Sequence, residues 1–197
     1  MREGASQVSN GALVKIETET AAEICAYFDL QDEAKPLLRD GMNPYDFVTA
    51  LIEKRRCVDA VRFMAHALPV REGIWWGCLC MQHAFGNDLT PPDRAAATAA
   101  VQWVMQPTEE NRMASKAPAD AAPPPSVAGA LAMAAFQSGG NVASPNLPAT
   151  PPAPFAAAKS IALAVTLASI KTEPVKIARM QRSYVELAIE VAEGRLI

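Results

Sequence analysis

The sequence predicts an all-α protein, a single domain of about eight or nine helices packed as antiparallel helical hairpins. Apolar residues recur at helical spacing in one segment after another, each bounded by capping or breaking residues. Alanine, the strongest helix former, is the commonest residue. No two segments show the alternating pattern of paired strands. The chain has 197 residues, of which 50% are hydrophobic, enough for one sizeable core.

The N-terminal segment is polar and contains glycine and serine. We therefore expect a flexible arm over residues 1–18, followed by a helical domain over residues 19–197. Leu13, Val14 and Ile16 could form one short extended segment, but the sequence offers no partner strand.

Capping residues mark the helices of the first half. Thr18 or Thr20 can cap the first one. Asn43 followed by Pro44 is a strong start signal, because asparagine accepts a bond from a free N–H group and proline suits the first helical position. These signals predict helices over 21–28, 44–52, 58–68 and 69–85, and a short helical turn over 32–39.

The last of these segments, 69–85, is the central tract of the sequence. It contains two of the three tryptophans and carries no charge between Glu72 and Asp88. A helix that is apolar on every side is normally buried on every side. We therefore expect it to be the buried centre of the fold, ending at a left-handed cap near Gly86 and Asn87.

The second half follows the same rules. Thr90 and Asp93 have the spacing of a capping box, and Ser126 precedes an alanine-rich segment as its cap. Gly194 follows the last apolar stripe. The predicted helices are 91–104, 108–117, 127–137, 156–170 and one that opens at residues 172–174.

Between two of these helices lies a proline-rich connection, residues 141–155. It carries five prolines and no charge, so it cannot form a regular helix. We expect an extended, polyproline-like strap over the surface.

Charge and cysteine content exclude several classes of function. The net charge of −3 gives no basic face for nucleic acid or for an anionic membrane surface. No segment has the length of a membrane span or the pattern of a signal peptide. The four cysteines suit free, buried thiols in a reducing compartment better than a disulfide framework. These features predict a cytoplasmic protein.

The cysteines and histidines could in principle form a metal site or a nucleophile. The candidates are Cys57, His66, Cys78, Cys80 and His83. Residues two apart on a helix lie about 200° apart around its axis, so Cys78 and Cys80 cannot face one ion. Both lie in mid-helix among apolar residues, which disfavours a reactive thiolate. We expect no metal, no cofactor and no catalytic thiol.

The charged clusters are typical of solvated helix ends. Acidic residues at 29, 32, 33, 109 and 110 suit exposed faces and first turns. Lys54, Arg55 and Arg56, with Arg62 beyond them, lie at or after a helix C-terminus, where cations are favoured. Gly139 and Gly140 follow a helix and not a strand, so they indicate a stop and not a phosphate-binding loop.

Trp75 and Trp76 are adjacent and point about 100° apart on a helix. One can enter the core while the other makes a second contact, with the proline strap or with a partner.

Several motifs together resemble a known family. They are 59–69 (DAVRFMAHALP), 71–78 (REGIWWGC), 135–140 (AFQSGG) and 145–148 (PNLP). The chain is similar over about residues 58–155 to a family of small, helical, uncharacterised bacterial proteins. The resemblance implies a proteobacterial gene near type VI secretion components and an accessory role there. It transfers no catalytic residue.

These observations favour a non-catalytic helical interaction protein, such as an adaptor, a chaperone or an accessory factor of a type VI secretion locus, whose partner is another protein. The candidate partner-binding residues are Arg62, Arg71, Trp75, Trp76, Pro151 and Phe155. One alternative is a small enzyme with a cleft around His66, using Arg62, Arg71 or Glu72. The other is an immunity protein that binds a toxin, although the strongly charged face typical of that class is absent.

Overall fold

Ten α-helices and two short 3-10 helices form the secondary structure of residues 13–144 and 146–196, the part of the chain that the computed structural model describes. The helices are α1 (Ala21–Cys25), α2 (Pro44–Glu53), α3 (Cys57–Ala67), α4 (Val70–Phe85), α5 (Pro91–Met105), α6 (Glu109–Ala114), α7 (Lys116–Ala121), α8 (Val127–Phe136), α9 (Ala156–Ser169) and α10 (Ile177–Ala192). The 3-10 helices are Lys35–Leu37 and Pro174–Lys176. The described residues contain no strand and form one domain, which confirms the predicted all-α class.

The predicted caps start the helices where the sequence indicates. Asn43 Oδ1 accepts a bond from the backbone N–H of Asp46 at 2.8 Å, and Ser126 Oγ accepts one from Gly129 at 2.8 Å. Thr90 caps α5, but Asp93 does not reach back to the backbone as a capping box would. Its carboxylate accepts bonds from the hydroxyls of Thr90 and Ser126, each at 2.6 Å. Asp93 therefore joins the starts of α5 and α8.

The predicted helix 108–117 is divided in the structure into two short helices, α6 and α7, the second of which runs on to Ala121. This division raises the helix count to ten. Pro118 has no N–H to donate to the carbonyl of Ala114, and at the junction the Ser115 hydroxyl donates to the Asn111 carbonyl at 2.9 Å. The helical turn predicted over 32–39 is a 3-10 turn around Pro36.

The first described residues are docked on the helical domain. Of the arm predicted over residues 1–18, residues 1–12 lie outside the described part of the chain. Lys15 donates its backbone N–H to the Ala192 carbonyl at 2.9 Å, and Leu13 and Ile16 pack against the core. This segment turns at Val14 and Lys15 and holds the end of α10.

Helix α4 is the buried centre of the fold, as its uncharged sequence predicts. It packs against α5, α8, α9 and α10. Trp76 has no exposed surface, and its indole N–H donates to the carbonyl of Tyr184 at 2.7 Å. The Tyr184 hydroxyl in turn donates to the Cys80 carbonyl at 3.2 Å. These two bonds fix α10 along α4, and Gly86 ends α4 with a φ of +55°.

Two glycines bring the neighbouring helices close to α4. A Cβ atom at Gly73 would lie 2.9 Å from Cδ1 of Ile161 in α9. A Cβ atom at Gly77 would overlap Cδ2 of Leu131 in α8. Because both neighbours are fully buried, they have little room to move. Because glycine has no side chain, Gly73 and Gly77 set how closely α9 and α8 approach α4.

The proline-rich connection 141–155 is folded back, and not a simple extended strap; Pro145 within it lies outside the described residues. The side-chain oxygen of Asn141 accepts the backbone N–H groups of Ala143 at 3.0 Å and Thr150 at 2.8 Å. The N–H of Val142 donates to the Thr150 carbonyl at 2.9 Å. Residues 141–150 therefore form a closed loop, and only residues 151–155 lead on to α9.

Arg112 fixes the start of this loop. Its side chain is 3% exposed and donates to the carbonyls of Phe136 at 2.6 Å and Asn141 at 3.0 Å. Its Nε also donates to Glu109 at 2.6 Å. Gly140, with a φ of +65°, leaves the space that the guanidinium group fills. None of the described helices is both long and apolar enough to cross a membrane.

The close packing at Gly77 predicts a stability effect. Alanine at a helix interior gains about 1 kcal/mol over glycine from propensity, but overpacking costs about 1–3 kcal/mol. Because the added Cβ atom would overlap a buried side chain, we take the upper end of that cost and expect Gly77→Ala to lower the free energy of unfolding by about 2 kcal/mol, measured by urea denaturation. Gly139→Ala, at a bend outside the helices where a Cβ meets no atom within 4 Å, is the control for a glycine replacement without overlap. A Gly77→Ala variant as stable as the wild type would contradict the close approach of α8.

Candidate functional site

A cavity of about 550 Å³ lies between α3, α9 and the segment that follows α1. It is called the His66 cavity below. Its lining residues are Tyr27, Phe28, Asp29, Arg62, His66, Lys159, Ala162, Leu163 and Thr166. The size falls in the range of ordinary ligand pockets.

Helical spacing explains why these side chains converge. Arg62 and His66 are four residues apart on α3 and share one face. On α9, Lys159, Leu163 and Thr166 follow each other at intervals of four and three residues. The two helices pack against each other, so their two stripes line opposite walls of the cavity.

The His66 ring is held in one tautomer. Its Nδ1 lies 2.8 Å from the carbonyl oxygen of Arg62, and because a carbonyl only accepts, Nδ1 carries the proton. Its Nε2 is buried and has no hydrogen-bond partner among the described residues. The ring stacks on Phe28 with a centroid distance of 4.9 Å. Burial lowers the pKa of His66, and the nearby cations Lys159 and Arg62 lower it further, so the ring is neutral at neutral pH.

The charges at the cavity are positive on balance, although the whole chain is acidic. Arg62 and Lys159 are exposed and, among the described residues, form no ion pair with an acidic side chain. Within the part of the lining that the structure describes, Asp29 is the one carboxylate. The described lining therefore has two cations and one anion, in a chain whose net charge is −3.

Exposed apolar side chains surround the cavity mouth. Phe155 stacks on Tyr27 with a centroid distance of 4.2 Å and lies 5.8 Å from the His66 ring. Tyr27 is 41% exposed, Phe155 40% and Leu163 53%. These three residues are called the apolar rim. Phe155 has a φ of +59°, a backbone conformation that costs a non-glycine residue about 1–2 kcal/mol and that the stacking on Tyr27 helps to hold.

The two tryptophans that the sequence predicted as partner-binding candidates differ in exposure. Trp76 is fully buried, so it offers no surface to a partner. Trp75 is half-buried and donates its indole N–H to the Leu196 carbonyl at 2.7 Å. The second contact expected of this pair is therefore the C-terminal segment. The connection 151–155 reaches Tyr27 and His66 through Phe155 instead.

The other candidates are divided between the cavity and the scaffold. Arg62 lines the cavity, and Pro151 is exposed on the connection that leads to it. Arg71 donates to the Val104 carbonyl at 2.7 Å and so ties α4 to α5. Glu72 is buried in α4. The cleft proposed for an enzyme therefore contains His66 and Arg62, but neither Arg71 nor Glu72.

The four cysteines are free thiols, and Cys57, Cys78 and Cys80 are buried. Burial raises the pKa of Cys78 to about 12 and raises that of Cys80 in the same way. The pKa of Cys25 is about 12, because burial and the charge of Asp59 both disfavour the thiolate. Among the described residues, no three His, Cys, Asp or Glu side chains cluster as metal ligands would.

Sequence reasoning missed Lys159, Tyr27 and Phe28. One signal for Lys159 was present, because it is the single charged residue of α9 and so marks the solvent-facing side of an otherwise uncharged helix. Tyr27 and Phe28 follow a helix of only five residues, and no periodic pattern indicates where they point.

The fold and the cavity define a small, all-helical protein with one cavity that is bordered by aromatic side chains and two cations. Residues 47–192 match the model of a family of unknown function (DUF6931), and the chain belongs to this family. The match includes α3 and α9 and hence Arg62, His66 and Lys159, whereas Tyr27 and Phe28 precede it. No curated protein and no solved structure matches the chain.

The environment of His66 predicts a pH dependence. A folded-state pKa below the usual 6.5 means that the unfolded chain binds the proton more tightly. The stability that neutral His66 contributes is therefore present above about pH 6.5 and is lost as the pH falls through the folded-state pKa. We expect the His66 Hε1 resonance to titrate below 6.5, and urea midpoints of the wild type to fall more steeply below that pH than those of His66→Gln.

The comparison with His66→Gln also assigns the resonance, since the chain has two histidines. Titration of His66 at or above 6.5 would contradict the buried, neutral ring.

Proposed function

We propose that this protein is a non-catalytic helical interaction protein that engages another protein through the His66 cavity and its apolar rim. The observation that carries the proposal is the convergence of the exposed side chains Tyr27, Phe155 and Leu163 on one cavity. Beside them lie two cations that form no ion pair with any described residue. Aromatic residues and arginine are enriched where protein interfaces gain most of their binding energy.

The chemistry of the cavity supports binding over catalysis. Nε2 of His66 carries the free lone pair, but it is closed off from solvent. The thiols lie outside the cavity, and their raised pKa values disfavour a nucleophile. The described lining does not combine a nucleophile, an accessible base and oxyanion donors, which a hydrolytic or transfer site would need.

The cellular setting belongs to the same proposal. The resemblance over residues 58–155 supports an adaptor, chaperone or accessory factor encoded near bacterial type VI secretion components. The four free cysteines favour a reducing compartment, the cytoplasm. The partner is then a secreted effector or a component of the secretion machinery.

Site-specific photo-crosslinking in the producing organism tests this proposal. A photoreactive phenylalanine analogue replaces Leu163 on the rim or, as the matched control, Met105, which is 67% exposed at the end of α5. We expect a discrete protein adduct from position 163 and none of the same mass from position 105. Adding Phe155→Ala should weaken the adduct, because it removes the stacked ring of the rim.

Circular dichroism confirms that each variant is folded. No adduct at position 163, or the same adduct from both positions, would contradict the proposal.

A further inference from the structure

We infer that the segment received by the His66 cavity is an acidic peptide of the partner protein, with one aromatic or branched aliphatic side chain as anchor and Asp or Glu residues beside it. This inference rests on the proposed function and names the chemistry of its occupant.

The cations argue for carboxylates. Arg62 and Lys159 line opposite walls of the cavity, on α3 and α9. Both are close enough to His66 to lower its pKa, so they act on the same space. Neither has an acidic partner among the described residues. A guanidinium group binds a carboxylate through two parallel hydrogen bonds, and a nearby ammonium group adds attraction without fixed geometry.

The hydrogen-bonding groups of the lining also favour a ligand rich in acceptors. The hydroxyl of Thr166 uses its hydrogen on the Ala162 carbonyl at 2.7 Å. Nε2 of His66 is buried and does not reach a ligand in this conformation. Among the side chains of the described lining, the donors left for a ligand are therefore Arg62, Lys159 and the Tyr27 hydroxyl, and a carboxylate accepts from all three.

The remaining lining is apolar and indicates the anchor. Phe28, Ala162 and Leu163 provide apolar surface, and Phe155 and Tyr27 stack beside it. The cavity, about 550 Å³, is large enough for an aromatic or leucine side chain together with its neighbouring carboxylates. Asp29 lies in the same lining and repels acidic residues of the peptide that come near it. The acidic residues are therefore directed towards Arg62 and Lys159, which gives the peptide a preferred orientation.

Peptide selection on the full-length protein tests the inference. A phage library of random 12-residue peptides is selected on the immobilised wild type and counter-selected on Arg62→Glu/Lys159→Glu. We expect enrichment of Asp or Glu within a few positions of Phe, Trp or Leu. The synthetic form of the winning peptide should bind the wild type about tenfold or more tightly than the charge-reversed variant, measured by fluorescence anisotropy.

Two matched controls separate local from general charge. Arg39→Glu/Arg179→Glu makes the same change in net charge at exposed positions that do not line the cavity, and should leave binding within about twofold. Replacing the acidic residues of the peptide by Asn or Gln should cost as much affinity as reversing the two cations. Free 3-phenylpropionate, an aryl carboxylate without a peptide, should compete only at far higher concentration.

The outcomes distinguish failure of the acidic-peptide inference from failure of the proposed docking site. One outcome is that the enriched peptides lack acidic residues and yet fail to bind the Leu163→Arg variant. That result would overturn the inference of an acidic peptide but leave the proposed docking site in place. Peptides whose binding is unchanged by Leu163→Arg, or no enrichment at all, would overturn both. Competition by free 3-phenylpropionate as strong as that of the peptide would replace the peptide with a small carboxylate ligand.

Discussion

The close approach of α8 and α9 to α4 is the constraint on which the rest of the structure depends. At Gly73 and Gly77 the helix presents backbone where other residues would present a side chain, and Ile161 and Leu131 fill that space. Because α9 is held against α4 in this way, the stripe that contains Lys159 and Leu163 faces α3. The two walls of the cavity on α3 and α9 therefore follow from helix packing, and the segment after α1 completes the lining.

The last residue of the proline-rich connection, Phe155, completes the site. Arg112 and Gly140 fix its start, and the amide of Asn141 closes its first part into a loop. This anchoring brings Phe155 to the mouth of the cavity, where it stacks on Tyr27. A segment with no regular secondary structure is thus positioned by one buried guanidinium group and one side-chain amide. The left-handed backbone at Phe155 turns the chain into α9.

The sequence predicted the helices well and the site only in part. Caps such as Asn43 and Ser126 are local signals, since a side chain bonds to a backbone group three residues away. The uncharged tract around Trp76 identified the buried helix, because burial on every side leaves no room for charge. The cavity joins residues more than 90 positions apart in the chain, from Arg62 and His66 to Lys159 and Leu163. A local sequence pattern cannot indicate which residues that are so far apart in the chain will lie side by side.

The choice of tryptophan as the binding surface shows the same limit. Trp75 and Trp76 lie on a conspicuous apolar helix, but their indole groups bond to the carbonyls of Leu196 and Tyr184. Tryptophan often contributes strongly to protein interfaces, and this made the pair a reasonable candidate from the sequence. Only the fold shows whether a tryptophan makes its contacts within the chain or leaves its surface open to a partner. Phe155 was named among the candidates, yet its partners, Tyr27 and His66, could not be read from spacing.

Hydrogen–deuterium exchange tests the central claim most directly, with the protein alone and with the partner captured by crosslinking. The proposed partner binds at the His66 cavity. We therefore expect slower exchange upon binding in residues 26–30, 62–67 and 155–166, with little change around residues 105–118. Protection confined to the end of the molecule formed by residues 85–93 and 167–171, with exchange at the cavity unchanged, would contradict it.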